Sequence, residues 1–252
     1  MLRPFKADLH IHTCLSPCTE LDMSPKGILT SAKKKGIDII GICDHNSTEN
    51  SLAVMNAARK THIKVIPGME VTSQEEVHVL ALFDKVEDAL KLQELVYENL
   101  PGENDEKAFG RQVIVNENEE VEGFNNKLLI GATTIPLEEV IRLIHSFGGI
   151  SIASHIDREA FSIVGQLGFI PENLALDALE ISPRMTFKEA IKTYPYDYPI
   201  TCSSDAHYPD DVGKGHTSFL LEEGSLAEIK KALKNEDGRK LILVNNPGEL
   251  GF

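Results

Sequence analysis

Six of the nine histidines in this 252-residue chain sit within or at the end of short apolar runs. His10 and His12 are two residues apart in Asp8-Leu9-His10-Ile11-His12. In a strand that spacing points both imidazoles to one face, where they can reach the same metal ion. Asp44 and His45 follow the run 37–43, and Glu70 follows a third in Pro67-Gly68-Met69-Glu70. His78 lies inside Val77-His78-Val79-Leu80, His155 follows Ile150-Ser151-Ile152-Ala153-Ser154, and Asp205-Ala206-His207 follows the run 200–204. Six separate runs thus each offer a side chain that binds metal. Imidazoles mixed with carboxylates suit Zn, Mn or Fe in the divalent state rather than an oxygen-only Ca or Mg cage. Six histidines with Glu70 and Asp205 exceed what one tetrahedral ion uses, so the set predicts two or three ions, with Glu70 able to bridge two. Clustered ions generate hydroxide near neutral pH and clamp the oxygens of a phosphate. The other histidines form a contrast. His62 and His145 lie at helix ends and His216 precedes a strand, so His62 and His145 read as structural or surface residues.

The elements that must carry these residues alternate. Strands are expected at 7–12, 37–43, 63–67, 77–83, 149–154, 178–182, 200–203, 217–221 and 241–244. Helices are expected at 24–35, 51–61, 86–100, 137–147 and 225–235. Ser24, Pro25 and Gly36 are the cap, first-turn and stop residues of the first helix. Alternating strands and helices predict an α/β fold around a mostly parallel sheet, and in a β/α barrel the strand C-termini converge on one mouth. The stretch 101–134 is polar and glycine-bearing, with a hairpin turn expected at Asn116-Glu117-Asn118. It reads as an insertion, either a lid or a surface excursion, on a single domain spanning 1–252.

Length and composition agree with this. About 250 residues is a common size for a single barrel domain. Lys plus Arg number 25 and Asp plus Glu 39, for a net charge of −14. Such acidity argues against a nucleic-acid coat or an anionic-membrane binder. It leaves room for a small phosphorylated substrate or nucleotide, because bound ions reverse the local field. No extended nucleic-acid binding is therefore expected. Neither a secretory leader nor a membrane span is visible, and four cysteines are too few for a disulfide scaffold, so a cytoplasmic protein with reduced thiols is expected.

Taken in order, DLHIHT, ICDHN, PGMEV, VHVLAL, ASHIDR and SSDAH resemble the motifs of the PHP (polymerase and histidinol phosphatase) family of metal-dependent phosphoesterases. The resemblance runs from about residue 7 to 220, with a gap at the insertion. It implies a distorted (β/α)7, TIM-like barrel with a metal centre at the strand ends. By position, His10, His12, Glu70 and Asp205 resemble one metal site, and Glu70, His78 and His155 a second. His45 and His207 resemble part of a third. Trinuclear members often place a histidine in the loop after the first motif; here that loop is Cys14-Leu15-Ser16-Pro17-Cys18, and Cys18 is the nearest match. A thiolate there would favour Zn or Fe.

Arg158 matches a basic residue that follows this histidine in many relatives, and a guanidinium grips phosphate with two hydrogen bonds. Arg184 follows the run 178–182 and is a second candidate for the mouth. Asp44 is a candidate both for orienting an imidazole and for protonating a leaving oxygen. The expected reaction is hydrolysis of a phosphate ester, on a small phosphomonoester, a nucleotide or an oligonucleotide end, with metal-bound hydroxide as the nucleophile. Two alternatives compete. A metal-dependent amidohydrolase shares the barrel and an early His-x-His. A catalytically silent metal-binding regulatory protein is the other, since PHP-like domains also occur in replicative polymerases.

Overall fold

The computed structural model describes residues 1–242. One nine-stranded sheet forms the body. Its strands are β1 (Arg3–Ile11), β2 (Ile39–Ile42), β3 (Lys64–Thr72), β4 (His78–Leu82), β7 (Ile150–Ala153), β8 (Ala178–Ile181), β9 (Ile200–Cys202), β10 (Thr217–Leu221) and β11 (Lys240–Ile242). Their order is β11-β10-β1-β2-β3-β4-β7-β8-β9. A separate hairpin pairs β5 (Gln112–Val115) with β6 (Val121–Asn125). The helices are α1 (Pro25–Lys35), α2 (Ser51–Ala58), α3 (Val86–Glu98), α4 (Glu106–Phe109), α5 (Leu137–Ser146), α6 (Ile163–Leu167), α7 (Phe187–Thr193) and α8 (Leu226–Leu233).

The sheet is α/β in character and curls into a half-barrel. Every residue of β2, β4, β7 and β8 is buried, as expected for strands covered on both faces. Leu80 and Leu82 of β4 join an inner cluster with Phe5, Leu9 and Ile152, which α8 caps through Leu226, Ile229 and Leu233. Val79 and Ala81 face the other way, toward α3 and α5. The sheet's far end returns to its start just past β9. His12 N donates to Ala206 O at 3.0 Å and Ala206 N to His10 O at 3.2 Å.

The strict sevenfold β/α repeat is not what the sheet displays. Four of its eight pairings are antiparallel: β1–β10, β10–β11, β3–β4 and β4–β7. The β3–β4 connection is a short turn at 73–77, too short for the crossover that a parallel pair requires. This matters for the site. An antiparallel β4 begins at the end of the sheet where β1, β2 and β3 finish, so His78 at its first position meets their C-termini.

Several boundaries moved. β3 runs on to Thr72, so Glu70 lies inside the strand instead of following it. α4, α6 and α7 were not expected; the first two have four and five residues, too short for a helical period to register. α7 is announced by a capping box, Thr186 with Glu189. α1 starts on the Ser24 cap and stops at Gly36 in a left-handed conformation. The final expected strand, 241–244, is seen as Lys240–Ile242; residues 243–244 lie outside the described part.

Residues 101–134 hold α4 and the β5–β6 hairpin, whose turn is closed by Asn116 N to Glu120 O at 3.0 Å. The hairpin is tied to the barrel's loops. Val113 N donates to Cys14 O at 3.2 Å, and Asn50 bonds Val113 O and Val115 N, each at 3.0 Å.

Candidate metal centre

A bulge sets the first two imidazoles. The β1–β2 register shifts between Asp8 and Ile11, so Leu9 enters the inner cluster while Ile11, of the same parity, enters an outer one. Gly41 permits this approach, because a Cβ there would lie 2.3 Å from Leu9 O. His10 and His12 both end fully buried, with their Nε2 atoms 3.1 Å apart.

Their hydrogen bonds fix which ring nitrogens carry hydrogen. His10 Nδ1 faces Glu180 Oε1 at 2.9 Å, and an ionised carboxylate only accepts, so His10 holds its hydrogen there. Ser16 Oγ donates to Asp44 Oδ1 at 2.7 Å and so accepts from His12 Nδ1 at 2.9 Å. In the neutral rings both Nε2 atoms then carry the lone pair. Asp205 Oδ1 stands 3.0 Å from His12 Nε2 and 3.3 Å from His10 Nε2. Glu70 stands 3.4 Å from His10 and 3.6 Å from His12. Two imidazole nitrogens and two carboxylates thus converge on one point, an arrangement that a cation, whether proton or metal, resolves.

Glu70 is the hub. Its Oε1 is 2.9 Å from His78 Nδ1 and 3.2 Å from His155 Nε2, and its Oε2 is 3.1 Å from His45 Nδ1. It thus approaches five imidazoles while almost wholly buried. Burial opposes its charge, yet His78 and His10 hold its carboxyl well below the usual range. Asp205 is likewise held low, by His10 and His12 against burial. His10 is raised well above its ordinary value, because Glu70, Glu180 and Asp205 outweigh its burial. His12 is pushed well down by burial and by His207 and His45. The carboxylates demand positive charge that burial makes costly to leave unmet.

His12, Cys18, His45 and His207 form a third group, with ligand atoms within 4.8 Å of one another. His207 Nδ1 donates to Asp205 O at 2.8 Å, which leaves Nε2 free. Burial would raise the solvent-accessible Cys18 thiol, but His207 and His45 bring it down to about 7. The other two groups are His10, His12 and Asp205, and His45, Glu70 and His78. Orphaned buried atoms at His45 Nδ1, His78 Nδ1, Glu70 Oε1 and His155 Nδ1 complete the fit to metal. His155 at φ 29° and Asp205 at φ 50° hold left-handed backbones, a strain that clusters at functional sites.

The remaining expected residues divide. Arg158 is at the site, with Nη1 2.5 Å from Asp205 Oδ2. Arg184 is exposed, and its guanidinium makes none of the hydrogen bonds or ion pairs found among the described residues. Asp44 is fully buried and both its oxygens are taken, by Thr13 N, Thr13 Oγ1 and Ser16 Oγ, each at 2.7 Å. Such a group reaches His12 through Ser16, which fits the orienting role, while burial pushes its carboxyl up. Glu180, whose carboxylate holds His10, was missed. Its only signal was a carboxylate alone in the apolar strand Ala178-Leu179-Glu180-Ile181. His62 and His216 stand outside these groups, and His145 pairs with Asp177.

A curled α/β sheet with clustered imidazoles and carboxylates at its strand ends defines the class, and the comparisons agree. The family model described as PHP domain matches residues 8–232, and the chain belongs to the PHP family. An uncharacterised protein of Methanocaldococcus jannaschii is 31% identical over 100 residues, covering 36% of this chain and 58% of that protein. A 5'-3' exoribonuclease of Haemophilus influenzae is 30% identical over 84 residues, covering 32% of this chain and 30% of that protein. Among solved structures, the lesion-specific endonuclease PfuEndoQ of Pyrococcus furiosus superimposes with a TM-score of 0.69 at 22% identity, over 95% of this chain and 58% of that one. This chain therefore spans under two-thirds of the length of each of these three proteins.

The expectation that acidity bars extended nucleic acid is overturned. Endonuclease Q, similar with a TM-score of 0.67, was solved with a 27-mer duplex carrying an abasic lesion at its active site. A net charge sums the whole surface, whereas the field at a mouth is set by the ions and side chains there.

Proposed function

We propose that this chain hydrolyses phosphate esters with two or three divalent ions, Zn, Mn or Fe, on a distorted TIM-like barrel. His10, His12, Glu70 and Asp205 would hold one ion, Glu70, His78 and His155 a second, and His45, His207 and Cys18 a third, with His12 close to both the first and the third. The observation that carries this reading is Glu70, buried within 3.6 Å of five imidazoles. Bound ions would lower the pKa of a water toward neutrality and offset charge on the phosphoryl oxygens.

The chain's own residues do the positioning. Glu180 fixes the hydrogen of His10, and Asp44 fixes that of His12 through Ser16, so both lone pairs point inward. Arg158 is anchored to Asp205 through Nη1, which leaves its other N–H groups to grip a phosphate. Candidate substrates are small phosphomonoesters, nucleotides and oligonucleotide ends. Longer nucleic acids belong with them, since one relative is an exoribonuclease and a similar fold belongs to an endonuclease.

Chelator-stripped protein reloaded with Mn, Zn or Fe should release phosphate from an aryl phosphate or a nucleotide panel, or cleave short oligonucleotides. Glu70→Gln should lower that rate by more than about 100-fold. No turnover with any metal or substrate would overturn the proposal.

A further inference from the structure

The turn after β7 carries an aromatic residue that the chemistry above leaves unused. Phe161 has φ 57°, a left-handed conformation costly for so bulky a residue. The turn around it is tied down. Asp157 accepts from Ser182 N at 2.8 Å and from Ser182 Oγ at 2.6 Å. Arg158 N donates to His155 O at 2.9 Å, Ser162 Oγ to Arg158 O at 2.5 Å, and His78 N to Phe161 O at 2.9 Å.

Held this way, the Phe161 ring stacks on the imidazole of His78, with centroids 4.7 Å apart and planes 14° from parallel. Yet Phe161 remains 37% exposed. A left-handed aromatic residue held partly open against a proposed metal ligand is backbone strain of the kind that clusters at functional sites.

The geometry points to Phe161 as a stacking platform for the base of a nucleotide substrate, placed three residues from the phosphate-gripping Arg158. This rests on the phosphoesterase reading above. One ring face is covered by His78, and a base stacked on what stays open extends the column. Stacking accepts any base, because every base has a π-face, and it offers nothing to an aliphatic phosphate.

The test compares a nucleoside monophosphate with glycerol phosphate. Phe161→Leu keeps an apolar cover on His78 but removes the ring. KM for the nucleotide should rise about tenfold with little change in kcat, while both constants for glycerol phosphate and the metal content stay as in the native protein. Equal changes on both substrates, or none, would overturn the inference. The chain has no tryptophan. Phe161→Trp therefore supplies a single indole, whose fluorescence should be quenched saturably by the nucleotide and not by glycerol phosphate. If the native protein turns over neither substrate, the hydrolase reading fails, and the quench alone decides stacking: its absence rejects the platform.

Discussion

The site depends on where single hydrogens sit. Glu180 and the Asp44–Ser16 pair each place a hydrogen on Nδ1, and the lone pairs of His10 and His12 follow from that. Removing such a partner typically costs a metal site 10- to 100-fold in affinity. Glu180→Ala should therefore weaken metal binding by about that factor in chelator competition; unchanged affinity would show that His10 does not depend on Glu180. Spacing brought His10 beside His12 and Asp205 beside His207, because residues two apart keep their geometry within one strand or turn, whereas His45, Glu70, His78 and His155 were candidates by their places at separate strands. Glu180 stayed hidden because its partner His10 lies 170 residues away. Asp44 was legible as a carboxylate that could orient an imidazole or protonate a leaving oxygen, but the choice between the two was not, since only the fold shows Thr13 and Ser16 on its oxygens.

At the scale of elements, the β1 bulge and the reversed β4 do most of the aiming. Gly41→Ala would set a Cβ against the backbone oxygen of Leu9 and should cost ~1–3 kcal/mol in denaturant unfolding. An unchanged midpoint would mean that β1 and β2 part without penalty. A second joint lies away from the metals. Asp177, in the loop before β8, accepts from His145 Nε2 of α5 at 2.8 Å and from Ser151 N of β7 at 2.9 Å. Burial opposes its charge, but His145 and Ser151 N–H hold its carboxyl below the ordinary value. A carboxyl depressed on folding stabilises above its unfolded pKa, near 4, and loses that contribution as pH falls through the folded value. Native protein should exceed Asp177→Asn by about 1.5–3 kcal/mol at neutral pH, with the gap closing in acid. A gap independent of pH would contradict the ionic account. Strand periodicity located nearly every strand, but it carries no direction, so the antiparallel β4 could not be read from Val77-His78-Val79-Leu80.

At the scale of the molecule, the charge of −14 misled where it was taken to limit partners. Two or three divalent ions would bring +4 to +6 to one mouth without altering the surface elsewhere. The hairpin of 101–134 was visible as a polar, glycine-bearing interruption. Its docking on the Cys14 loop was not, because backbone pairing such as Val113 to Cys14 leaves no trace in side-chain identity. No helix of the described residues is long and apolar enough to cross a membrane.

The central claim is that the buried imidazoles and carboxylates hold ions as a set organised by Glu70. Elemental analysis of native protein purified without added metal or chelator, beside Glu70→Gln, tests it most directly. The account predicts two to three divalent ions per native chain and a clear loss in the variant. Native protein without stoichiometric metal, even after incubation with Zn, Mn or Fe, would contradict it.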